Sequence, residues 1–523
     1  MVEDRFSLQW QQLLSHERAR KSHGSSSDFD GRNPFEKDYH RIILSASFRR
    51  LQDKTQVFPL DQSDFVRTRL THSLEVSSLA KSLGEQATAL LRRRGVANAP
   101  DSIQQKEIAD LLLCSGLLHD IGNPPFGHYG ETTIRDWYRN HLSTMLFRDK
   151  PLSYWLTPQM HADLLNFEGN AQAIRLVSKL HYLVDEHGMN LSFGLLNTLM
   201  KYPVSSLMID PDSADTRYHK MGYFYAEEKL FKAISHATGT AQKWRGEDPL
   251  VDRKQLAAKE NTLDKTSAAK QLSFAPDAGR IRVCRHPLTY LLEAADDISY
   301  RTADLEDASR KGKITYGQLL SYLLDSVRVI RLHDDTLKHT YFELVTELET
   351  RLEQARAKRI QNPELYAIQN WTILLQNHMI RSVTETFADR YESIMQGRYL
   401  YDLFYENLAG LLLDVLGDIA YDFVFSSQSI VQLEVASDAI IGGPLDKFVP
   451  ACLHYDTELD QKPVDKRLMS LISDNYRANY EREADGKEEG EKLYLRLLLV
   501  NDYICGMTDR FARDLYYKFN GIY

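Results

Sequence analysis

The stretch LLHDIGNPPFGHYGE, residues 117–131, decides the fold of this chain and indicates its chemistry. Apolar residues at helical spacing lead into it from Ile108 and place His119 on the inner face of a helix. Gly122 and two prolines then end that helix. Because Asp120 follows at the negative end of the helix dipole, this His–Asp pair needs a positive charge nearby. A metal ion would supply that charge; a buried, hydrogen-bonded His–Asp pair is the alternative.

Two further helices carry polar side chains on apolar faces. In RLTHSLEVSSLAKSL, residues 69–83, His72 shares a helical stripe with valine and leucine residues. In HPLTYLLEAADDISYRTADLEDA, residues 286–308, Asp296 lies on a stripe with apolar neighbours. A carboxylate on such a face is costly to bury unless it is paired or bound to a cation. A core histidine and a buried salt bridge are the respective alternatives to metal ligands.

These positions predict a mixed nitrogen and oxygen ligand set: His72, His119, Asp120 and Asp296. Such a set suits Mg²⁺, Mn²⁺, Fe²⁺ or Co²⁺ and differs from a thiolate zinc site. Open coordination positions can take water or phosphate oxygens. The four cysteines form no C-x-x-C pair, so neither a zinc ribbon nor a disulfide framework is indicated.

The loop after Asp120 carries a second pair of chemical groups. His128 and Glu131 are three residues apart, so a helical turn there would let the carboxylate orient the imidazole and stabilise its charge. This is the arrangement of an activated base or nucleophile. Glycines within the loop permit close approach of other backbone. A structured polar loop is the alternative.

Composition and charge exclude several classes of protein. The chain has 523 residues, 43% hydrophobic and 26% charged, which is ordinary for a soluble globular protein. Its net charge of −9 does not indicate a nucleic-acid binder, although a local basic groove is compatible with it. The first residues carry acids and lack the apolar core of a signal peptide. Acids interrupt the most apolar stretch, 399–425, so no membrane span is predicted and a cytoplasmic protein is expected.

Helical periodicity dominates the chain and predicts an all-α fold. It covers segments near 70–92, 105–119, 171–187, 286–310, 316–330, 341–358, 400–425 and 492–519. Residues 430–435 are a weak strand candidate.

We divide the chain into three parts. Residues 1–35 are interpreted as a flexible lead-in, residues 36–330 as a metal-dependent catalytic core, and residues 331–523 as a helical C-terminal region. Two polar tracts, 238–281 and 481–492, lack an apolar period. They are interpreted as a long exposed insertion and a solvated loop.

Seven segments, taken together, resemble the bacterial deoxyguanosinetriphosphate triphosphohydrolases (dGTPases) of the HD superfamily. They are YHRIILSASFRRLQDKTQVFPL, VRTRLTHSLEV, LLHDIGNPPFGHYGE, NFEGNAQAIRL, LMKYP, EAADDISYRTADLEDA and DYICGMTDRFA. The resemblance is strongest over 40–140 and 286–310. It implies an HD fold and cleavage of dGTP or another dNTP at the α-phosphorus, to deoxynucleoside and tripolyphosphate. The implied metal is Mg²⁺ or Mn²⁺, with Fe²⁺, Co²⁺ or Ni²⁺ as alternatives.

The resemblance also implies roles for residues at matching positions. His72, His119, Asp120 and Asp296 resemble the metal ligands, and His128 and Glu131 resemble the catalytic dyad. The implied substrate contacts are Gln56 and Asp304 at the 3′-hydroxyl, Tyr300 on the sugar, Lys201, Tyr202 and Lys220 at the triphosphate, and Asn170 on the phosphate side. Because Tyr300 would pack tightly on the sugar, a ribose 2′-hydroxyl would be left unpaired and excluded. The C-terminal region would complete the base pocket and supply oligomer contacts.

Other functions stay open at this point. Residues 360–490 resemble the family weakly, and no arginine lies at 436–443 to match its base contact, so the base is not implied. The same metal site could serve a nucleoside-monophosphate phosphatase or a cyclic-nucleotide phosphodiesterase. It could also serve a regulator that senses a dNTP and binds nucleic acid through Arg49–Arg50 or Arg92–Arg94. The family further implies homo-oligomers, hexamers among them, and single-stranded DNA as an effector.

Overall fold

A computed structural model describes residues 7–20, 30–58, 60, 63, 65–181, 185–243, 281–329, 335–426 and 428–522. Its architecture is all-α, which confirms the predicted fold class. The helices, in chain order, are α1 (Trp10–Leu13), α2 (Pro34–Ile43), α3 (Ala46–Arg49), α4 (Arg69–Arg93), α5 (Ser102–Leu118), α6 (His128–His141), α7 (Leu152–Trp155), α8 (Pro158–Leu165), α9 (Gly169–Arg175), α10 (Phe193–Leu199), α11 (Glu228–Ala237), α12 (Pro287–Arg310), α13 (Tyr316–Val329), α14 (Asp335–Ala357), α15 (Pro363–Asp389), α16 (Tyr391–Met395), α17 (Leu408–Ala420), α18 (Gln428–Leu453), α19 (Pro463–Leu471), α20 (Asp474–Ala484), α21 (Glu489–Cys505) and α22 (Asp509–Phe519).

Short turns and two strand pairs join these helices. The turns of 3-10 type are Arg50–Asp53, Ser206–Met208, Thr216–Tyr218 and Tyr225–Glu227, and those of π type are Leu176–Leu180 and Tyr421–Phe425. The strands of the described residues form two antiparallel pairs, β1 (Leu146–Phe147) with β2 (Lys150–Pro151) and β3 (Ala241–Lys243) with β4 (Ile281–Val283).

Helices α4 and α5 form the scaffold on which the predicted histidine ligands lie. The side chains of Thr68 and Asp101 cap their amino ends and accept hydrogen bonds from backbone amides of the first turn. The two helices approach closely because residue 116 is glycine: a Cβ at Gly116 would lie 2.4 Å from Cα of Ser77. The facing sides of both helices are therefore in contact.

Helix α12 packs against α4, α5, α15 and α17, and so brings Asp296 to the α4–α5 pair. Buried apolar side chains on both sides of residue 330 form one continuous core. The boundary between the catalytic core and the C-terminal region stays a prediction. Among the described residues, no helix combines the length and the apolar character that a membrane crossing requires.

The predicted strand at 430–435 is wrong, because these residues lie in α18. Ile430 is buried, whereas Val431 and Val435 are 44% and 70% exposed. The next fully buried isoleucine, Ile441, lies about three helical turns further on. The sequence of this short apolar run is compatible with a strand, but the burial of its side chains follows the period of a long helix.

The interpretation of residues 1–35 as a flexible lead-in is wrong for its described part. Leu8 and Trp10 are buried, and α2 already begins at Pro34. The amide of Leu8 donates to the carbonyl of Met395, so this segment is fixed to the C-terminal region. One short helical turn within a polar segment is too brief to produce a detectable period.

The interpretation of residues 481–492 as a solvated loop is also wrong. Helix α20 ends at Ala484 and α21 begins at Glu489, so the charges lie mostly on helical faces. In the predicted insertion 238–281, the strand pair β3–β4 closes the two described ends. Residues 244–280 lie outside the described residues.

Two predicted helical segments are shorter than expected. In the segment 171–187, α9 passes into a π turn after Arg175. In the segment 400–425, the helix begins only at Leu408, because Asn407 caps it by accepting a hydrogen bond from a backbone amide of the first turn.

Candidate active site

Side chains from α4, the end of α5 and α12 meet in one buried cluster. Nε2 of His72 lies 3.2 Å from Oδ1 of Asp296, and Nε2 of His119 lies 3.3 Å from the same oxygen. One ligand atom from each of the three residues lies within 4.8 Å of the others, so the three could hold one metal ion. The structure thus brings three of the four predicted ligands together.

The hydrogen bonding of His119 fits a metal ligand. Its Nδ1 lies 2.8 Å from the carbonyl oxygen of Gly116, to which an Nδ1–H donates. Nε2 then carries the lone pair, and it is buried without a hydrogen-bond partner among the described residues. A backbone acceptor that selects the tautomer in this way is typical of metal-bound histidine. Imidazole and carboxylate donors together fit a divalent cation.

Asp120, the fourth predicted ligand, lies beside the cluster and is also bound by other groups. Its Oδ2 is 3.5 Å from Nε2 of His119 and accepts a hydrogen bond of 2.6 Å from Nη1 of Arg69. Its Oδ1 accepts a hydrogen bond of 2.7 Å from the side-chain amide of Asn123. Burial would raise the pKa of Asp120, but the charge of Arg69 lowers it well below its usual range. Asp120 therefore presents a negative charge to the cluster.

Lys201 contacts the cluster through Asp296. Its Nζ donates a hydrogen bond of 2.8 Å to Oδ2 of Asp296. Burial would raise the pKa of Asp296, but the charge of Lys201 lowers it well below its usual value. For the adjacent Asp297, burial and the charge of Asp296 raise the pKa to about 8. Of these two aspartates, Asp296 is the one that carries a charge at neutral pH.

The predicted dyad lies at the start of α6. Nδ1 of His128 is 2.9 Å from Oε2 of Glu131, and Oε1 of Glu131 accepts a hydrogen bond of 2.7 Å from the amide of Gly169. The carboxylate is buried, whereas the imidazole is 76% exposed. The hydrogen bond that Nδ1 of His128 donates to Glu131 raises the pKa of His128. Burial would raise the pKa of Glu131, but His128 lowers it to about 2.

Arg69 joins the ligand cluster to the dyad. Besides its hydrogen bond to Asp120, its Nη2 lies against the residue that precedes His128: a Cβ at Gly127 would be 2.2 Å from that nitrogen. The positive charge of Arg69 opposes protonation of His128 and so lowers its pKa, against the larger upward effect of Glu131. One guanidinium thus contacts Asp120 and the residue next to His128, so the ligand cluster and the predicted dyad are neighbours.

Glu168, directly before α9, binds two of the predicted substrate contacts. Its Oε1 accepts hydrogen bonds of 3.0 Å from Nζ of Lys220 and 2.8 Å from Nδ2 of Asn170. Burial and the charge of Glu131 raise the pKa of Glu168. Burial would lower the pKa of Lys220, but Glu168 raises it. Lys220 is therefore a cation that lies close to the dyad.

The predicted sugar contacts include two buried oxygen atoms. Oε1 of Gln56 and Oδ2 of Asp304 have no hydrogen-bond partner among the described residues. Burial raises the pKa of Asp304 well above its usual range. Tyr300 lies one turn before Asp304, with its ring 6.4 Å from that of His72, so it borders the cluster. Burial and the charge of Glu293 raise the pKa of Tyr202, whose hydroxyl is therefore neutral.

Two residues of this pocket, Arg69 and Glu168, are not among the predicted site residues. Arg69 lies three residues before His72 on α4, and this spacing, which places both on one helical face, could have identified it. Glu168 has an extended backbone immediately before α9. A single acid outside any helical period carries no comparable signal.

Comparison with known proteins identifies the family of this chain. The HD domain family model matches residues 69–152, which contain His72, the His119–Asp120 pair and the dyad. A deoxyguanosinetriphosphate triphosphohydrolase-like protein of Listeria monocytogenes is 41% identical over 520 residues, covering 98% of this chain and 100% of the relative. A protein of the same description from Synechocystis sp. is 31% identical over 525 residues, with coverage of 98% and 100%. A deoxyguanosinetriphosphate triphosphohydrolase of Salmonella typhimurium is 30% identical over 546 residues, with 96% of each chain covered. The chain therefore belongs to the deoxyguanosinetriphosphate triphosphohydrolase family of HD-domain proteins.

Proposed function

We propose that this protein is a metal-dependent dNTP triphosphohydrolase that converts dGTP, alone or along with other dNTPs, to deoxynucleoside and tripolyphosphate. The observation that carries the proposal is the position of Arg69, which donates to Asp120 and lies against Gly127. This position supports the proposal because it connects Asp120, a predicted ligand, to the residue that precedes His128 of the predicted dyad. Membership of the dGTPase family supports the choice of substrate class.

His72, His119, Asp120 and Asp296 would hold the divalent cation, with Mg²⁺ or Mn²⁺ as the first choices. Such a cation, when bound, neutralises charge that develops on phosphate oxygens. Both carboxylates of this set already have a cationic side chain as partner: Lys201 donates to Asp296, and Arg69 donates to Asp120. Both cations are therefore within reach of a phosphate bound beside the cluster.

His128 would act at the α-phosphorus through Nε2, because Nδ1 faces Glu131. Two roles fit this geometry. As a base, His128 takes a proton from water, whose oxygen bonds to phosphorus while the bond to the 5′-oxygen breaks. As a nucleophile, its Nε2 bonds to phosphorus while the bond to the 5′-oxygen breaks and that oxygen leaves as the protonated deoxynucleoside; water then cleaves the N–P bond and releases tripolyphosphate. In both, Glu131 orients the ring and stabilises its positive charge.

The phosphate side of the pocket would be formed by Lys220 and Asn170, both held by Glu168, with Lys201 and Tyr202 next to them. Each of these groups can donate a hydrogen bond to phosphate oxygens, and the two lysines add positive charge. The tripolyphosphate would thus be bound by donors already fixed in place by the protein.

The sugar side would be read by Gln56 and Asp304. A buried polar oxygen without a partner costs stability, and a ligand hydroxyl that forms a hydrogen bond with it removes that cost. The 3′-hydroxyl of a deoxyribose can both donate and accept such a bond. Tyr300 beside them would leave no partner for a 2′-hydroxyl, which would favour dNTPs over GTP and the other ribonucleotides.

A product assay tests this proposal. The purified protein is incubated with each of the four dNTPs and with GTP, in Mg²⁺ or Mn²⁺, and the products are separated by ion exchange. We expect deoxynucleoside and intact tripolyphosphate from dGTP. Release of orthophosphate from nucleoside monophosphates alone would instead support a phosphatase, and a protein that hydrolyses none of these would refute the proposal.

The His128→Ala variant tests the assignment of the dyad. We expect it to bind metal and nucleotide but to lose turnover by about a hundredfold or more, since a positioned base contributes about that much. Hydrolysis of dGTP at a wild-type rate would show that the dyad assignment is wrong.

A further inference from the structure

The loop 120–127 connects a predicted metal ligand to the dyad, and its backbone is unusual. Phe126 has φ 62° and Gly127 has φ 59°, both in the left-handed region. Glycine adopts this region readily, but for a phenylalanine it is unfavourable and must be enforced by other contacts. His128 begins α6 immediately afterwards, so the conformation of Phe126 decides where the dyad lies.

The amide of Phe126 is bound by a residue from the far end of the chain. Oδ1 of Asp509, the first residue of α22, accepts a hydrogen bond of 3.0 Å from the backbone amide of Phe126. Its Oδ2 accepts one of 2.8 Å from the amide of Thr55. Asp509 is buried, and its position in the first turn of a helix favours a negative charge. Both carboxylate oxygens are thus bonded to backbone of the active-site region.

Lys54 strengthens the same connection. Its buried Nζ donates to the carbonyl of Asn123 over 2.5 Å and to the carbonyl of Cys505, the last residue of α21, over 2.7 Å. The backbone carbonyl of Lys54 in turn accepts from the amide of Arg69 over 2.9 Å. The turn between α21 and α22 is therefore tied to the loop 120–127 and to the start of α4.

We propose that Asp509 is a positioning residue of the active site, which sets the place of the His128–Glu131 dyad by holding the backbone of Phe126. This inference deepens the proposed function and rests on it for its catalytic consequence. It assigns a role to the segment DYICGMTDRFA, which contributes no side chain to the metal cluster. Catalysis would then depend on the C-terminal helix α22.

The variant Asp509→Asn separates positioning from general stability. Asparagine has nearly the same shape but offers one acceptor oxygen, and its NH₂ group would face a backbone N–H that also donates. The matched control is Asp514→Asn on the same helix, because Asp514 contacts Arg513 at the surface. Three quantities are compared with the wild type: hydrogen exchange of the peptide 121–131, kcat for dGTP, and the affinity for Mn²⁺ by calorimetry.

We expect Asp509→Asn to exchange the amides of 121–131 about tenfold faster, because an amide that loses its acceptor opens more often. We expect kcat to fall by about tenfold to a hundredfold, since misplacement by about an ångström costs that much. The affinity for Mn²⁺ should stay within about threefold of the wild type, because Asp509 does not contact the ligand side chains. Asp514→Asn should match the wild type in all three quantities.

A wild-type kcat in folded Asp509→Asn, or faster exchange spread evenly over all peptides, would overturn the inference. If Asp509→Asn does not fold, Asp509→Glu decides: this variant keeps the charge but displaces the carboxylate. A reduced kcat at an unchanged melting temperature then supports positioning, and a wild-type kcat rejects it. If the wild type itself hydrolyses no dNTP, the proposed function fails, and the hydrogen exchange of 121–131 alone decides whether Asp509 positions the loop.

Discussion

Glu131 contacts His128 with one carboxylate oxygen and the backbone of Gly169 with the other. The carboxylate is buried at 1% exposure while the imidazole is largely exposed, so the acid is fixed and orients a ring that is open to a substrate. The same hydrogen bond raises the pKa of His128. A ring that is oriented and made more basic is what either of its two proposed roles requires.

Replacing Glu131 by glutamine should therefore change both the rate and its dependence on pH. A base or nucleophile must be unprotonated, so the wild-type rate should rise only as the pH passes the raised pKa of His128. Loss of the carboxylate lowers this pKa, since Lys220 and Arg69 then oppose protonation without compensation. We expect the acidic limb of kcat/KM to move to lower pH while the maximal kcat falls by about a hundredfold.

The control for Glu131→Gln is Glu343→Gln, because Glu343 and His339 form an exposed pair at a similar spacing on α14. This variant should keep the wild-type pH profile. An unchanged acidic limb in Glu131→Gln, measured over the same buffers, would show that the rate does not depend on the protonation of His128.

A second prediction concerns metal binding without any turnover. If His72, His119 and Asp296 hold a divalent cation, Mn²⁺ should raise the melting temperature of the wild type, because a ligand that binds only the native state stabilises it. His72→Ala should abolish that rise. The control is His187→Ala, since Asp185, Glu186 and His187 form a second, more exposed group of possible ligands. A rise that persists in His72→Ala and disappears in His187→Ala would place the metal at the second group.

A third prediction tests how Glu168 and Lys220 act together. Lys220→Ala should raise the KM for dGTP by about tenfold or more, which corresponds to one hydrogen bond to a charged group. Glu168→Gln should raise it less, because Lys220 remains but loses its partner. The double variant should show less than the sum of the two free-energy changes, as expected for residues in contact.

The pair Glu228 and Lys232 provides the control for this double-mutant cycle. It is an exposed i,i+4 pair on α11 with a distance of 2.6 Å. Its variants should leave KM unchanged. Strict additivity of Glu168→Gln and Lys220→Ala would mean that Glu168 does not position Lys220 for the substrate.

Much of the pocket follows from helical faces. His72, His119 and Asp296 were predicted to point inward because each lies on an apolar stripe, and a buried carboxylate requires a partner. The structure brings these three side chains together, while their role as ligands stays a prediction. The predicted pairing of His128 with Glu131 requires only a helical turn at His128, and α6 forms that turn.

What could not be predicted depends on contacts between distant segments. Asp509 and Phe126 are far apart in the chain, and no local pattern relates a helix start to a loop amide. The role of Glu168 could not be predicted for the same reason, because it depends on where Lys220 lies in the folded chain. The strand predicted at 430–435 failed for a different reason: a short apolar run fits both periods, and the packing of α18 decided between them.

The last prediction concerns the stability of the connection between α9 and the C-terminal helices. Arg175 is buried and donates to Asp502, Glu227 and Glu483. Arg175→Met keeps much of the volume but leaves Asp502 without its cation, while Lys179 remains paired with Glu227 and Glu483. We expect the free energy of unfolding to fall by about 3–5 kcal/mol, because a buried charge then lacks its partner. The measurement is urea unfolding followed by circular dichroism. Arg381→Met, which removes an exposed partner of Glu385, should cost less than about 1 kcal/mol. Equal losses for the two variants would show that the buried acids find other partners, or become protonated, and that Arg175 is not needed to hold α9 against the C-terminal region.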